Sequence, residues 1–397
     1  MGGNAFATVL PTASFPRMSP EVYNRLKMHI TARLRELYET VAVPHEAPEK
    51  TDYGDIDFVV CSPRKALALE AIREAIGVEH AVQLDGNRMS HFAVPAYALG
   101  EDTADPNVYH QVDIRVCADA DEFQRIVFFS SYGDLGMIIG LLAKASDLSY
   151  GSSGLRLSNP VPTLPPCTFY LSKSLTQVLA FFGLSIERWD EGFSTRRDVF
   201  DWVASSPFFD IWNMTQTVYR PSSKSSERPM HREFLQYAYH RRRETQGSLD
   251  AQPHVRSDGI TSALTYFGKS ELYEAILYVS RVKLHVKTIF TGHLVESWAG
   301  LRGQHVAIIM WETRLQLGGN DVLAVVRGVS KDAARANNID PLHLTLTVWE
   351  EKMGGMTADE VRDVVVQATT ALRKEGVMDM GREELKKRLA AYKAQLL

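Results

Sequence analysis

The sequence has little cysteine: three thiols (Cys61, Cys117 and Cys167) in 397 residues, none in a Cys-x-x-Cys pair. That argues against a secreted disulfide scaffold and a cysteine-based zinc site, and a reducing compartment is expected. Long apolar runs are missing too. The longest, around residues 135–143 and 178–184, fall well short of the roughly 20 residues that cross a bilayer, so no membrane partner is expected. Residues 1–6 carry no basic stretch ahead of an apolar one, and Phe6 stands where a myristoylation signal needs Ser or Thr. The expectation is a soluble cytoplasmic protein, with the nucleus as the alternative location. An excess of positive charge is also absent: 44 Lys and Arg face 48 Asp and Glu, a net charge of −4. Any nucleic-acid contact must therefore come from a local patch. There is no internal repeat, no Walker A sequence, no GxSxG and no GxGxxG opening a helix, so the signatures of several hydrolase and nucleotide-binding classes are lacking.

What is present is ordinary globular material. Apolar residues make up 45% and charged residues 23% of the chain, enough for one large core or two to three smaller ones. Ser19 and Pro20 read as a helix start, followed by Leu26, Ile30, Leu34 and Leu37 at helical spacing. Residues 55–61 alternate and are rich in β-branched side chains, which predicts a strand. A helix over 65–76, strands over 81–84, 91–97 and 109–117, and helices over 119–129 and 134–145 follow. The Gly-, Ser- and Pro-rich stretch 151–166 predicts a linker or insertion. Beyond it the pattern is mostly helical, including 321–328, with β-alternation only over 343–348. The predicted division is 1–150, an α+β domain; 151–250, a linker and helical segment; and 251–397, a helical domain.

The informative segment is Lys50-Thr-Asp-Tyr-Gly-Asp-Ile-Asp-Phe-Val-Val. Strand side chains alternate, so Asp55 and Asp57 share one face while Ile56 and Phe58 point into the core. Gly54 is expected to let the chain turn just before them. Two carboxylates at such spacing repel unless a cation lies between them, and a hard divalent ion suits them. A third acid, Asp113, sits mid-strand in Tyr-His-Gln-Val-Asp-Ile-Arg-Val. If its strand pairs beside the first, three carboxylates converge as in a two-metal phosphoryl-transfer site. The bland alternative is a solvated turn, with Asp113 paired to Arg115 or Arg88.

Gly-Asp-Ile-Asp-Phe, a helix, a β segment and Val-Asp-Ile together resemble the DNA polymerase β-like nucleotidyltransferase superfamily over about residues 23–145. The resemblance implies a mixed-sheet nucleotidyltransferase fold in an α+β chain whose C-terminal region is mainly helical, with the active site between the two. It implies a Mg²⁺- or Mn²⁺-dependent enzyme. Asp55 and Asp57 would hold both metals; Asp113 would help hold the catalytic one and activate an acceptor hydroxyl. The substrate would be a nucleoside triphosphate, ATP among them, and the acceptor a structured RNA 3′ end or a small molecule. The family's Gly-[Gly/Ser] phosphate-binding pair is not recognisable; the chain there reads Val41-Ala42-Val43-Pro44-His45-Glu46. Gly54, Lys50, Ser62 and Lys144 are the candidates for nucleotide contact in its stead. From Arg220 to Glu244, seven Lys and Arg face three Glu, with Tyr237 and Tyr239 between them. This makes Arg228, Arg232, Arg241, Arg242 and Arg243 candidates for nucleic-acid binding. Two other readings stay open: a catalytically degenerate scaffold or binding protein, and an Asp-x-Asp glycosyltransferase, which would not need Asp113.

Overall fold

The computed structural model describes residues 4–66, 68–83, 86, 88–101, 105–163, 165–209, 228–245 and 259–394. The chain forms two compact units, Met1–Ser158 with Tyr170–Ala263, and Asn159–Phe169 with Leu264–Leu397. Residues 170–263 thus belong with the N-terminal part, where the sequence reading drew boundaries at 150 and 250.

The first unit is mixed α/β. Helix α1 (Pro20–Leu37) is capped by the Ser19 hydroxyl, which accepts from the Val22 N–H, and buries Tyr23, Leu26, Ile30, Leu34 and Leu37. The chain then enters strand β1 (Tyr38–Ala42) directly. No strand was expected there from the sequence; Thr40 and Val41, both β-branched, pair antiparallel with Cys61 and Val60 of β2 (Asp55–Pro63). Helix α2 (Leu69–Ile76) and strands β3 (His80–Gln83), β4 (Met89–Pro95) and β5 (Tyr109–Val116) complete a five-stranded mixed sheet ordered β1-β2-β5-β4-β3. Strands β2 and β5 run parallel, with Asp57 opposite Asp113; β4 and β5 run antiparallel, with His91 opposite Asp113.

One sheet face carries Ile56, Phe58, Val60, Phe92, Val94, Val112 and Ile114, packed with the buried residues of α1 and α2. The other carries Val59 and Cys61, packed with Cys117 and Ile126 of helix α3 (Ala120–Ser130). Helix α4 (Leu135–Lys144) is almost wholly apolar and buried. Next comes a three-stranded sheet, β6 (Leu148–Gly151), β7 (Gly154–Leu157) and β8 (Tyr170–Ser172). The expected linker over 151–166 is in part the turn of this hairpin: Gly151 and Gly154, read as breakers, pair with each other across it. Helices α5 (Leu175–Phe182), α6 (Ile186–Glu191), α7 (Arg196–Ala204), α8 (Pro229–Thr245) and α9 (Gly259–Tyr266) follow.

The second unit is mainly helical: α10 (Ser270–Ile289), α11 (Gly292–Ala299), α12 (Gln304–Gln316), α13 (Lys331–Ala336), α14 (Val348–Met353), α15 (Ala358–Lys374) and α16 (Arg382–Ala394). The helix expected over 321–328 is not there; Val325–Val326 pairs with Val329–Ser330 as a short ribbon. The alternation over 343–348 is not a strand either. Pro341–Leu344 is a 3₁₀ turn, and Thr347 and Glu350 form a capping box that starts α14. Among the described residues, no single helix is long and apolar enough to cross a membrane.

Candidate functional site

Sheet register decides which side chains meet. Asp55 and Asp57 sit at the start of β2 on the face that α3 covers, but α3 packs on Val59 and Cys61 further along. The first turn of the strand's acidic face is therefore left open. The chain turns there after Glu49, whose φ is 64°, and not at Gly54, whose φ is not positive. A pocket of about 340 Å³ lies against the acids. Its walls are Pro44, His45, Glu46 and Lys50 before β2, Phe129 and Ser130 ending α3, Gly133, Asp134 and Met137 at the start of α4, and Arg228. All of these residues belong to the first unit.

The pocket is shaped by a clasp between two loops. Tyr132 N–H donates to the His45 carbonyl at 2.6 Å, and His45 N–H donates to Ser131 Oγ at 3.0 Å. The His45 ring stacks on Tyr132, with centroids 5.0 Å apart, and meets Trp189 edge-on. Tyr132 and Gly133 both have left-handed backbone, φ 56° and 68°. A side chain at Gly133 would bring a Cβ to 3.0 Å from the Ala47 Cβ and 3.2 Å from Met230 Sδ, so the positive φ favours glycine here and the tight space adds to it. Pro44-His45-Glu46, standing where the phosphate-binding Gly-Ser turn was sought, thus forms part of the same pocket as the acids, without a glycine.

Several carboxylates crowd this end of the sheet. Asp57 is exposed to the pocket, yet deep enough among protein atoms that burial, then Asp113, Asp55 and Glu46, pushes its pKa up to about 7. Asp55 is raised as well, by burial first and Asp113 second. Glu46 accepts from Tyr23 Oη at 2.6 Å and from Lys50 Nζ at 2.5 Å. Asp134 accepts from Arg228 Nη1 at 3.0 Å and from the His231 N–H at 3.2 Å.

Asp113 is positioned by its neighbours. Its Oδ1 lies 2.7 Å from His91 Nδ1 and accepts from Gln111 Nε2 at 2.8 Å. The hydrogen bond to Asp113 raises the His91 pKa, against the effect of burial. Arg88 and Arg115, the partners of the bland alternative, go instead to Glu122, Arg88 by two hydrogen bonds. The three predicted aspartates are thus brought together by β2 and β5, but Asp113 is turned toward His91. Among the described residues, no three His, Cys, Asp or Glu side chains form a ready-made metal cage.

Other predicted residues are dispersed. Lys50 lines the pocket, and so does Arg228, which the sequence assigned to a nucleic-acid surface. Ser62 is exposed at the far end of β2, roughly 17 Å along the strand from Asp57. Lys144 is exposed at the last turn of α4, about 15 Å of helix from Asp134. Neither lies in the pocket. Arg232 is exposed. Arg241 contacts the Tyr237 hydroxyl and shares Asp201 with Arg197. The side chains of Arg242 and Arg243 lie outside the described residues. His91 and Asp134 carried no sequence signal of their own; His45 and Glu46 stood out only by their position before the acids, and Gln111 only by sharing Asp113's strand face. No protein-family model matches this chain, and no curated protein matches it in sequence.

Proposed function

We propose that the chain is a metal-dependent nucleotidyltransferase that moves a nucleoside monophosphate from a triphosphate to an acceptor hydroxyl. The observation that carries this reading is the register of β2 and β5, which sets Asp113 opposite Asp57, while Asp55 and Asp57 line an open pocket. The donor set fits a hard divalent cation: oxygen ligands only, with an Asp57 carboxyl that burial, then Asp113 and Asp55, pushes up to about 7. Asp55 and Asp57 would hold the ion. Bound there, Mg²⁺ supplies Lewis-acid stabilisation of the charge that builds on the phosphoryl oxygens.

The chain's own residues do the rest. Asp113, held through Oδ1 by His91 and Gln111, would take the acceptor's proton. The acceptor oxygen bonds to the α-phosphorus, the bond to the β-phosphate oxygen breaks, and pyrophosphate leaves. The apolar flank of Phe129, Met137 and Pro44 suits a nucleobase or acceptor face.

Pyrophosphate release with Mg²⁺ and each triphosphate, against a panel of small hydroxyl acceptors and RNA ends, tests this. Asp55→Asn, Asp57→Asn and Asp113→Asn are each expected to cut turnover at least about 100-fold. Turnover unchanged in all three variants would sink the assignment. A non-catalytic binding protein is the second reading, favoured by His45 in place of a Gly-Ser turn. Metal-dependent nucleotide binding by the wild type without turnover would support it. A thermal shift with sugar nucleotides and Mn²⁺, but not with triphosphates, would point to glycosyl transfer.

A further inference from the structure

We infer that Arg228, together with Lys50, is the triphosphate-binding element of this pocket, taking the place of a glycine-rich turn with two side-chain cations from separate segments of the chain. The inference rests on the nucleotidyltransferase reading and adds to it the residues that grip the phosphates. Arg228 precedes helix α8, far in sequence from the acids, yet it lines the same pocket as Asp55, Asp57 and Lys50. Each cation is moored to a pocket carboxylate: Lys50 Nζ to Glu46 Oε2 at 2.5 Å, and Arg228 Nη1 to Asp134 Oδ1 at 3.0 Å.

The moorings are themselves fixed. Glu46 also accepts from the buried Tyr23, and Asp134, almost fully buried, also accepts from the first turn of α8 through His231 N–H. One donor of each cation is used in this way, whereas an ammonium carries three and a guanidinium five. The Arg228 side chain is 58% exposed, which leaves it accessible to a ligand in the pocket. A guanidinium held by one edge presents the other as a fork that matches two phosphate oxygens. Backbone N–H groups of a glycine turn do this work elsewhere. Here His45 N–H is spent on Ser131 Oγ, so the backbone of the substituted turn has one donor fewer to offer, and side-chain charge must supply the contact.

The pocket's charge sets the order of binding. Glu46, Asp55, Asp57 and Asp134 face Lys50 and Arg228, an excess of negative charge that a bare triphosphate would have to enter against. The two cations therefore act on a metal-complexed triphosphate.

Calorimetry on the full chain tests this with Mg²⁺ and three probes: a non-hydrolysable nucleoside triphosphate, the corresponding nucleoside, and inorganic tripolyphosphate. Arg228→Met and Lys50→Met are each expected to weaken triphosphate and tripolyphosphate binding about tenfold or more, while affinity for the nucleoside stays within about twofold. Arg228→Lys keeps a charge without the fork and should fall between. It also guards against misfolding at the α8 N-terminus, as does an unchanged circular-dichroism melt. If the wild type binds the triphosphate and both methionine variants bind it equally well, the inference is overturned while the nucleotidyltransferase reading stands. If the wild type binds tripolyphosphate through Arg228 and Lys50 but no nucleotide, the anion site stands and the nucleotidyltransferase reading falls. If it binds none of the three, both fall.

Discussion

The Asp57 carboxyl carries an electrostatic cost that makes stability depend on pH. Burial, then Asp113 and Asp55, lifts its pKa from the ordinary 3.8 to about 7. Between those values the folded chain holds a proton that the unfolded chain has lost, so stability falls as pH rises through the window. Asp57→Asn removes the proton exchange. In metal-free buffer at pH 8 the variant is expected to melt above the wild type, and its Tm should vary less between pH 4 and 7. A lower melt in EDTA at pH 8 would show that the carboxylate is not strained. His91 slopes the same way. Its pKa is raised by Asp113, so the stability it contributes is complete below about 6.5 and is lost as pH rises through its folded value. The residual slope in Asp57→Asn should therefore shrink further on adding His91→Gln. Metal ligands must be deprotonated to bind, so the Tm gain on adding Mg²⁺ to the wild type should grow as pH passes 7. The three aspartates were legible in the sequence because each acid interrupts an apolar strand pattern. His91 was not, because it meets Asp113 through sheet register and side-chain rotation, and a single histidine in a strand looks the same with or without an acid opposite.

Elements place these residues, and two of them depend on the tight join between α3 and α4. Gly136, in the first turn of α4, has no room for a side chain: a Cβ would stand 2.4 Å from the Phe129 carbonyl oxygen and 2.7 Å from its ring. Alanine is better than glycine in a helix by about 1 kcal/mol, but forcing atoms into a packed site costs about 1–3 kcal/mol, and here the obstacle includes backbone. Gly136→Ala is expected to lower stability in urea unfolding by about 1–2 kcal/mol. Because Phe129 lines the pocket, the variant should also weaken ligand binding there. Stability at or above wild type would show that α3 can shift away freely. At this scale the sequence was readable where periodicity was long: α1, β2, β5, α3 and α4 fall close to their predicted bounds. It misled where turn chemistry and pairing were entangled. Gly151 and Gly154 read as linker because glycine marks both flexible chain and hairpin ends, and β1 was hidden because it follows α1 without a break.

At the scale of the whole molecule, the question is what the acid-bearing sheet needs in order to persist. A boundary at residue 150 looked natural from composition, since strands and helices give way there to glycine and proline. The packing of α4 argues otherwise. Leu135, Ile138, Ile139 and Leu142 are wholly buried, and the elements packed on α4 include α7 and α8, both beyond that boundary, and β6, which straddles it. Uncovering each such side chain costs roughly 1.5–3 kcal/mol at full exposure, so losing even half of that cover on four of them removes several kcal/mol. A domain's whole stability is about 5–15 kcal/mol. A fragment ending at residue 150 is therefore expected to lose its cooperative thermal transition and to bind a hydrophobic dye, although all three aspartates are present in it. It would also lack Arg228, so the acids would stand without one of their two pocket cations. A sharp melt and dye exclusion by that fragment would instead show that the five-stranded sheet and its helices are self-sufficient, and that α7 and α8 serve the pocket rather than the fold.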